Sequence, residues 1–304
     1  MFKNLDTPPS ASDINLWTDF VELRAVVHPD RCFSKGDFSG VARRAQDLGR
    51  GFNAETKWKM VTDMVNIRAK AFSAAYPFKL STDVDTVELD FDEGAQQTSY
   101  LGLLIAACLR NIADEVRGDV ARAFEEASVV VFSKLMPVGS VVRATYAAGG
   151  PGVPYTGLLF NKLNQLALDL RCIANFDAAD FKPTDVGDGG IDMVAWHPMY
   201  DSRQGIPIAF AQCGCSTTDW EWKQLSPHPA KYRSKLPVMH PWANYYFMPL
   251  DFRRLDGDWE NKSDLAEVIM VDRLRLLRIA ISSHAIDDLP TMEYVAEALV
   301  ANYA

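Results

Sequence analysis

Residues 187–216, GDGGIDMVAWHPMYDSRQGIPIAFAQCGCS, constrain the fold of this chain more than any other stretch. A Gly-rich turn delivers Asp192 onto a short apolar run, GIDMVAWHP. A polar connection, MYDSRQG, follows, and then a second apolar run, IPIAFAQCGCS, which ends in Gln212, Cys213, Gly214 and Cys215. Two apolar runs of strand length joined by a polar, Gly-containing connection read as a β-hairpin. The pattern sets a carboxylate and an amide near the ends of two adjacent, otherwise apolar strands.

The flanking sequence predicts what surrounds the hairpin. SVVRATYAA, residues 140–148, reads as a strand closed by GGPGVP. YTGLLFNKLNQLALDLRCI reads as an amphipathic helix that aligns Leu159, Leu163, Leu166 and Leu170. TTDWEWKQL reads as a helix start capped by Thr217 or Thr218. NYYFMPLDF reads as a strand, and SDLAEVIMVDRLRLLRIAIS as one long helix capped by Ser263. This alternation of helices and strands predicts an α/β core.

The first third reads as helical. SASDINLWTDFVELRAVV offers Ser and Asp caps and spaces Leu16, Phe20, Leu23 and Val27 along one face. NAETKWKMVTDMVNIRAKAF does the same with Trp58, Val61, Met64 and Ile67. The acidic DVDTVELDFDEG reads as a loop or a short edge strand. QQTSYLGLLIAACLRNIADEV and DVARAFEEASVVVFSKLMP are further helices, the latter ended by Pro137 and Gly139. The expected architecture is α/β (α+β): an all-helical N-terminal domain over 1–117, then a mixed-sheet domain over 118–304 with a helical insertion near 155–173.

Composition excludes several classes. The 304 residues carry a net charge of -9, which argues against coating nucleic acid by charge alone but leaves room for a local basic groove. The apolar stretch YLGLLIAACL is about half of the roughly 20 residues that span a bilayer, so a buried helix is expected and no membrane partner. MFKNLDTPPS has no apolar core of a secretory signal, and five cysteines, an odd number, suit reduced thiols in a cytoplasmic protein. Cys213 and Cys215 form C-x-C with no second cysteine pair at zinc-finger spacing; residues two apart on a strand share a face, so core packing accounts for them. His28-Pro29-Asp30 repeats the tripeptide of J-domain co-chaperones, but the flanking helices of that domain are missing, and a helix terminated by proline explains it.

Hydrolysing a phosphodiester requires a divalent cation, held by one or two carboxylates, to meet the scissile phosphate and acidify an attacking water. A nearby lysine positions that water or offsets phosphate charge. GDGGIDMVAW followed by IAFAQCGCS fits that demand, and the segment closely resembles the restriction-endonuclease-like, PD-(D/E)XK, nuclease superfamily in its Mrr-like branch. The resemblance covers roughly 118–304, with specific motifs across 187–223. It implies a mixed sheet flanked by helices, with Asp192 as principal metal ligand and Gln212 in the place of the second strand's Glu or Gln, twenty residues on (212 − 192). A backbone carbonyl near Cys213 is a further metal ligand by the same match.

The lysine expected two residues after Gln212 is replaced by Gly214. Lys223, on the helix that follows, is the substitute the resemblance suggests, since relocation of the lysine to this helix is known in the superfamily. Phe124-Glu125-Glu126 matches the Phe-Glu element on the helix before the first core strand, so Glu125, with Glu126 as fallback, is expected as an accessory metal ligand; a surface carboxylate pair is the alternative.

Gly189 and Gly190 permit unusual backbone angles and a close approach of the DNA backbone. Asp188 is a second carboxylate or a support of the turn. HPAKYRSK offers Lys231, Arg233 and Lys235, interleaved with Tyr232, as a DNA-side basic loop; Arg273, Arg275 and Arg278 are a weaker phosphate face. His197 is expected to be structural, and a thiol hydrolase built on Cys213 or Cys215 lacks a nearby histidine base. The expected function is Mg²⁺-dependent (or Mn²⁺-dependent) cleavage of DNA in restriction or phage defence, with a helicase or ATPase partner or self-assembly into a homo-oligomer delivering the substrate. The alternative is a catalytically degenerate nuclease fold that binds DNA or a partner protein.

Overall fold

The computed structural model describes residues 1–9, 13–45, 48, 51–145 and 154–303. In chain order its elements are α1 (Ile14–Val27), β1 (Cys32–Ser34), α2 (Lys35–Arg44), α3 (Ala54–Phe72), β2 (Phe78–Leu80), β3 (Thr86–Leu89), α4 (Ala95–Ala107), α5 (Asp114–Leu135), β4 (Val141–Ala144) and α6 (Leu159–Asp169). They continue with β5 (Met193–Trp196), β6 (Ile208–Cys213), α7 (Trp220–Lys223), α8 (Pro229–Tyr232), β7 (Ala243–Phe247), β8 (Ile269–Val271), α9 (Arg273–Ser282) and α10 (Glu293–Val300). The protein is therefore mixed α and β, with two separate sheets. The chain forms two compact units that interleave along the sequence rather than meeting at one boundary near 117. The first comprises 1–126, 249–260 and 272–304, and the second 127–248 and 261–271. No helix among the described residues is long and apolar enough to cross a membrane.

The first unit departs from the all-helical expectation. Its helices accompany a three-stranded antiparallel sheet of order β1-β3-β2. DVDTVELDFDEG, expected as a loop or edge, supplies the central strand: Glu88 pairs with Cys32 on one side and with Lys79 on the other, and Val87 is wholly buried. Strands of three or four residues are too short to display a period of two, which is why the pattern hid them. Helix α1 starts on Asp13, whose carboxylate accepts the Asn15 N–H (2.7 Å), and ends at Val27 with His28 as its C-cap. That accounts for the His-Pro-Asp triplet. The Ser10 and Ser12 cap candidates lie outside the described residues.

The centre of this unit is charged. Asp19 and Glu22 on α1 are buried, as are Arg68 on α3 and Arg273 on α9. Arg68 donates to Asp19 (2.7 Å) and Glu22 (3.0 Å), and Arg273 grips Asp19 with two bonds of 3.0 and 2.8 Å. The hydroxyls of Tyr76 and Tyr100 donate to the two oxygens of Glu22 (2.6 and 2.8 Å). Burial still raises the Glu22 carboxyl above its ordinary value, against the pull of Arg68. Burying charges this deeply is tolerable only where each is met by hydrogen bonds and an opposite charge.

The second unit is built on a five-stranded sheet of order β4-β5-β6-β7-β8. Strands β4, β5 and β6 run as an antiparallel meander, and β7 and β8 then add parallel to β6. The hairpin read from sequence is β5–β6, with Met193 opposite Ala211 and Trp196 opposite Ile208. Its apolar residues face two directions. Val194 and Phe210 join Leu159, Leu163, Leu166 and Leu170 of the α6 region and Trp242 in one buried cluster. On the other face Phe132, near the end of α5, packs edge-on against Tyr245 and Phe247. Helices on both faces explain why these strands read as continuous apolar runs.

Two further expectations are corrected here. The long helix expected from Ser263 is interrupted: Ile269–Val271 pairs with β7, and the helix starts only after Asp272, whose carboxylate caps it by accepting the Arg275 N–H (3.0 Å). The β-branched Ile-Met-Val run extends a sheet edge that sequence alone did not reveal. The turn of helix after β6 is capped by neither Thr217 nor Thr218. It follows Asp219, which sits at φ 64°, and spans only Trp220–Lys223. In the expected strand 140–148, residues 146–148 lie outside the described residues, and β4 covers Val141–Ala144.

Candidate functional site

Asp192 precedes β5 and is held against the end of β6 on both sides of Gln212. Its N–H donates to the Ala211 carbonyl (3.0 Å), and its carboxylate Oδ2 accepts the Cys213 N–H (2.6 Å). On the far side, its carbonyl accepts the Thr145 N–H (2.8 Å). The acid and the amide thus meet at one end of the hairpin. Gln212 stands in register with Tyr246 of the parallel strand β7, and neighbouring strands lie about 4.8 Å apart. Asp192, Gln212 and Tyr246 therefore come from three adjacent strands.

The Gly-rich turn has the conformation its glycines require. Gly189 and Gly190 lie at φ 72° and 80°, a region that side chains rarely enter. A Cβ on Gly189 would strike the Tyr232 hydroxyl; one on Gly190 would come within 2.5 Å of Ser226 and 3.6 Å of Gln212 Oε1. Asp188 supports the turn, its Oδ1 accepting the Gly190 N–H (2.6 Å), and Asp185 does the same for Gly187 (3.0 Å).

Two lysines converge on this turn. Lys231, on α8, donates its ammonium to the Gly189 carbonyl (2.7 Å), which also accepts from the Tyr232 hydroxyl. Lys162, on α6, is buried and donates to the Val186 carbonyl (2.9 Å). Packing against the turn lowers both ammonium groups below the usual lysine value. Asp188 opposes the shift at Lys231, and Asp188 and Asp185 oppose it at Lys162. Lys162 was not singled out by the sequence, because a lysine among the leucines of an amphipathic helix reads as its solvated face.

The remaining expected residues are distributed as follows. Lys223 is exposed on α7. At about 100° per residue it points some 200° around the helix from Glu221, and Glu221 is the α7 residue whose charge reaches the Tyr246 hydroxyl. The ammonium brought to the Gly-rich turn is that of Lys231. Arg233 is exposed just after α8, and Lys235 lies over the Phe181 ring (5.6 Å). Glu125 is partly buried and Glu126 exposed on α5, in the stretch that belongs to the first unit, whereas Asp192 belongs to the second. Arg273 is wholly buried on Asp19 and cannot reach a phosphate, whereas Arg275, over Trp259 (4.9 Å), and Arg278, which donates to the Ala71 carbonyl (3.0 Å), are exposed. Cys213 and Cys215 are half-buried free thiols, and His197 uses its Nδ1 to accept the Met199 N–H (3.2 Å).

Among the described residues of this unit, Gln212 Oε1, Asn244 Oδ1 and the Tyr246 hydroxyl are buried without a hydrogen-bond partner in the protein. All three residues lie on the same face of the sheet, since β6 and β7 pair Phe210 with Asn244 and Gln212 with Tyr246. A buried acceptor left unpaired costs about 1–3 kcal/mol, and native proteins seldom leave such atoms without a bound water, ion or ligand.

An amide oxygen beside a carboxylate is a hard-oxygen pair of the kind magnesium uses while keeping most of its waters. Among the described residues no group of three or more His, Cys, Asp or Glu is arranged to hold a metal ion, so a cation here would rest on few protein ligands. Comparison of the chain with known protein families, with curated proteins and with solved structures finds no match to any of them.

Proposed function

We propose that the second unit is a metal-dependent nuclease domain of the restriction-endonuclease-like kind, hydrolysing phosphodiester bonds in nucleic acid, with DNA as substrate. The observation that carries this reading is that Asp192, anchored on the Cys213 N–H, and Gln212, whose buried Oε1 has no hydrogen-bond partner in the protein, stand at the same end of the β5–β6 hairpin. The sheet supports it: the resemblance implies a mixed sheet flanked by helices, with the acid on one strand of a hairpin and the amide at the end of the next.

Asp192 and Gln212 Oε1 are the oxygens that would hold a magnesium or manganese ion. Such an ion supplies charge neutralisation at the scissile phosphate and an acidified water. The Cys213 N–H fixes the carboxylate by donating to its Oδ2. Lys231, whose ammonium donates to the Gly189 carbonyl, offers a phosphate positive charge at the Gly-rich turn. We assign to Lys231 the part that sequence alone suggested for Lys223. A defence role and a partner that delivers DNA follow from the resemblance alone.

The replacement of the strand lysine by Gly214 favours a second reading, in which the fold is kept as a DNA-binding or assembly subunit. One assay separates the two. With Mg²⁺ or Mn²⁺, wild-type protein is expected to cleave DNA, Asp192→Ala to lose on the order of 10²–10⁴-fold in rate, Lys231→Ala at least 10-fold, and Lys223→Ala little. Cleavage that survives Asp192→Ala removes the site assignment, and equal loss in Lys223→Ala restores that residue. No cleavage by wild type, with DNA binding retained, favours the subunit.

A further inference from the structure

Gly214 and Tyr246 compete for one space. Residue 214 follows Gln212 by two positions, so a side chain there would leave the sheet on the same face as Gln212 and Tyr246. A Cβ on Gly214 would collide with the Tyr246 hydroxyl oxygen, so the phenol reaches the point from which any side chain at 214 would start. Tyr246 is wholly buried, and its hydroxyl has no hydrogen-bond partner. A phenol hydroxyl both donates and accepts a hydrogen bond. Tyr246 lies in register beside Gln212, whose own unpaired oxygen can only accept.

A buried acceptor and a buried donor–acceptor on adjacent strands, next to a carboxylate, match an occupant that both donates and accepts. Water does so and is small enough for a buried place. We propose that the Tyr246 hydroxyl positions a water molecule at Gln212, beside the place where Asp192 and Gln212 Oε1 would hold the cation, and that Gly214 is required because any larger residue would displace the hydroxyl. This deepens the nuclease reading and rests on it for one consequence only: the positioned water is the one that attacks the phosphorus. In that role Tyr246 is a positioning residue that holds the water's oxygen in place; as that oxygen bonds to phosphorus the P–O bond to the leaving oxygen of the strand breaks, and the water's proton passes to solvent.

The test has one arm that depends on activity and one that does not. In the first, Tyr246→Phe keeps the ring and its packing but removes the hydroxyl. Thermal unfolding is compared for wild type, Tyr246→Phe, Gln212→Leu and the double variant. A water held by both groups predicts that Tyr246→Phe lowers Tm by roughly 2–4 °C and that this drop disappears in the Gln212→Leu background. A Tm that is unchanged or raised by Tyr246→Phe means an empty, merely unpaired hydroxyl and overturns the proposal. In the second arm, where wild type cleaves, Tyr246→Phe is expected to lower kcat at least 10-fold with KM for DNA and far-UV CD unchanged.

Gly214→Lys is expected to be inactive, because its side chain would displace the Tyr246 hydroxyl. Full cleavage by Tyr246→Phe overturns the proposal and leaves the nuclease reading standing. Absence of cleavage by wild type defeats the nuclease reading, and the unfolding cycle alone then decides whether the water is held.

Discussion

In the first unit, Glu22 has hydroxyls on both of its carboxylate oxygens and Arg68 on one of them, and Asp19 is gripped by two arginines. The first unit also has buried polar atoms without a hydrogen bond, Asn15 Oδ1 among them; Arg24 Nε and Arg68 Nε belong to guanidinium groups engaged through other nitrogens, and Arg68 Nε lies 3.5 Å from the Asp251 carboxylate. In the second unit, Gln212 Oε1 and the Tyr246 hydroxyl are buried on adjacent strands with no hydrogen bond to another group of the protein. Both regions bury polarity, and they use it differently. A network whose members answer one another fixes a unique core; a row of unanswered atoms is a place prepared for something else, kept at a cost in stability that a purely structural strand would not carry.

The contrast breaks most easily at Arg273. Arg273→Met should strand Asp19 in the interior and destabilise the protein by about 3–5 kcal/mol, read as a fall in the urea midpoint. A loss below about 1 kcal/mol would mean the network contributes no more than a surface pair. Next in size is a pH effect confined to the same unit. Burial holds the Asp272 carboxyl up at about 6; the charge of Asp251 adds to this and Arg253 opposes it. Its folded value lies above that of an unfolded aspartate, so the native state binds the proton more tightly. The extra stability is present below about pH 4 and is lost as pH rises through 6, amounting to about 1–3 kcal/mol. Asp272→Asn should flatten that slope in unfolding curves taken from pH 4 to 7; an unchanged slope would trace it elsewhere.

Two smaller effects sharpen the other side. Gly214→Ala should cost about 1–3 kcal/mol through the clash with Tyr246, measured by chemical denaturation. Stability equal to wild type would show that the phenol swings aside freely. Gln212→Leu should cost about 0.5–1.5 kcal/mol, since it removes one of the two groups that share the positioned water, while abolishing metal-dependent cleavage. A large destabilisation would place Gln212 among the structural groups.

Much of the second unit was legible because its signals are local. Gly189 and Gly190 announce a turn that needs positive φ, and uninterrupted apolar runs around Asp192 and Gln212 announce a strand pair buried on both faces. What was not legible depends on distant partners. Asp19, Glu22 and Arg68 read as the polar faces of their helices, because charged residues are buried only when paired and Arg273, which completes the network, is 254 residues from Asp19. Tyr246 read as one more apolar position in NYYFM, and only the register with Gln212 gives it a part. Strand β8 hid inside a helix-like run because the edge it completes is set by β7, not by its own residues.

The interleaving of the two units has a consequence for biosynthesis. The first 126 residues emerge from the ribosome with Asp19 and Glu22 in hand, but the arginine that completes their neutralisation is encoded past residue 270. The second unit has most of its chain by Met248 and lacks only 261–271, which carries edge strand β8. The earliest-made segment must therefore wait, incompletely compensated, until translation is almost over. Nascent chains stopped before α9 should be the species that chaperones and proteases find first.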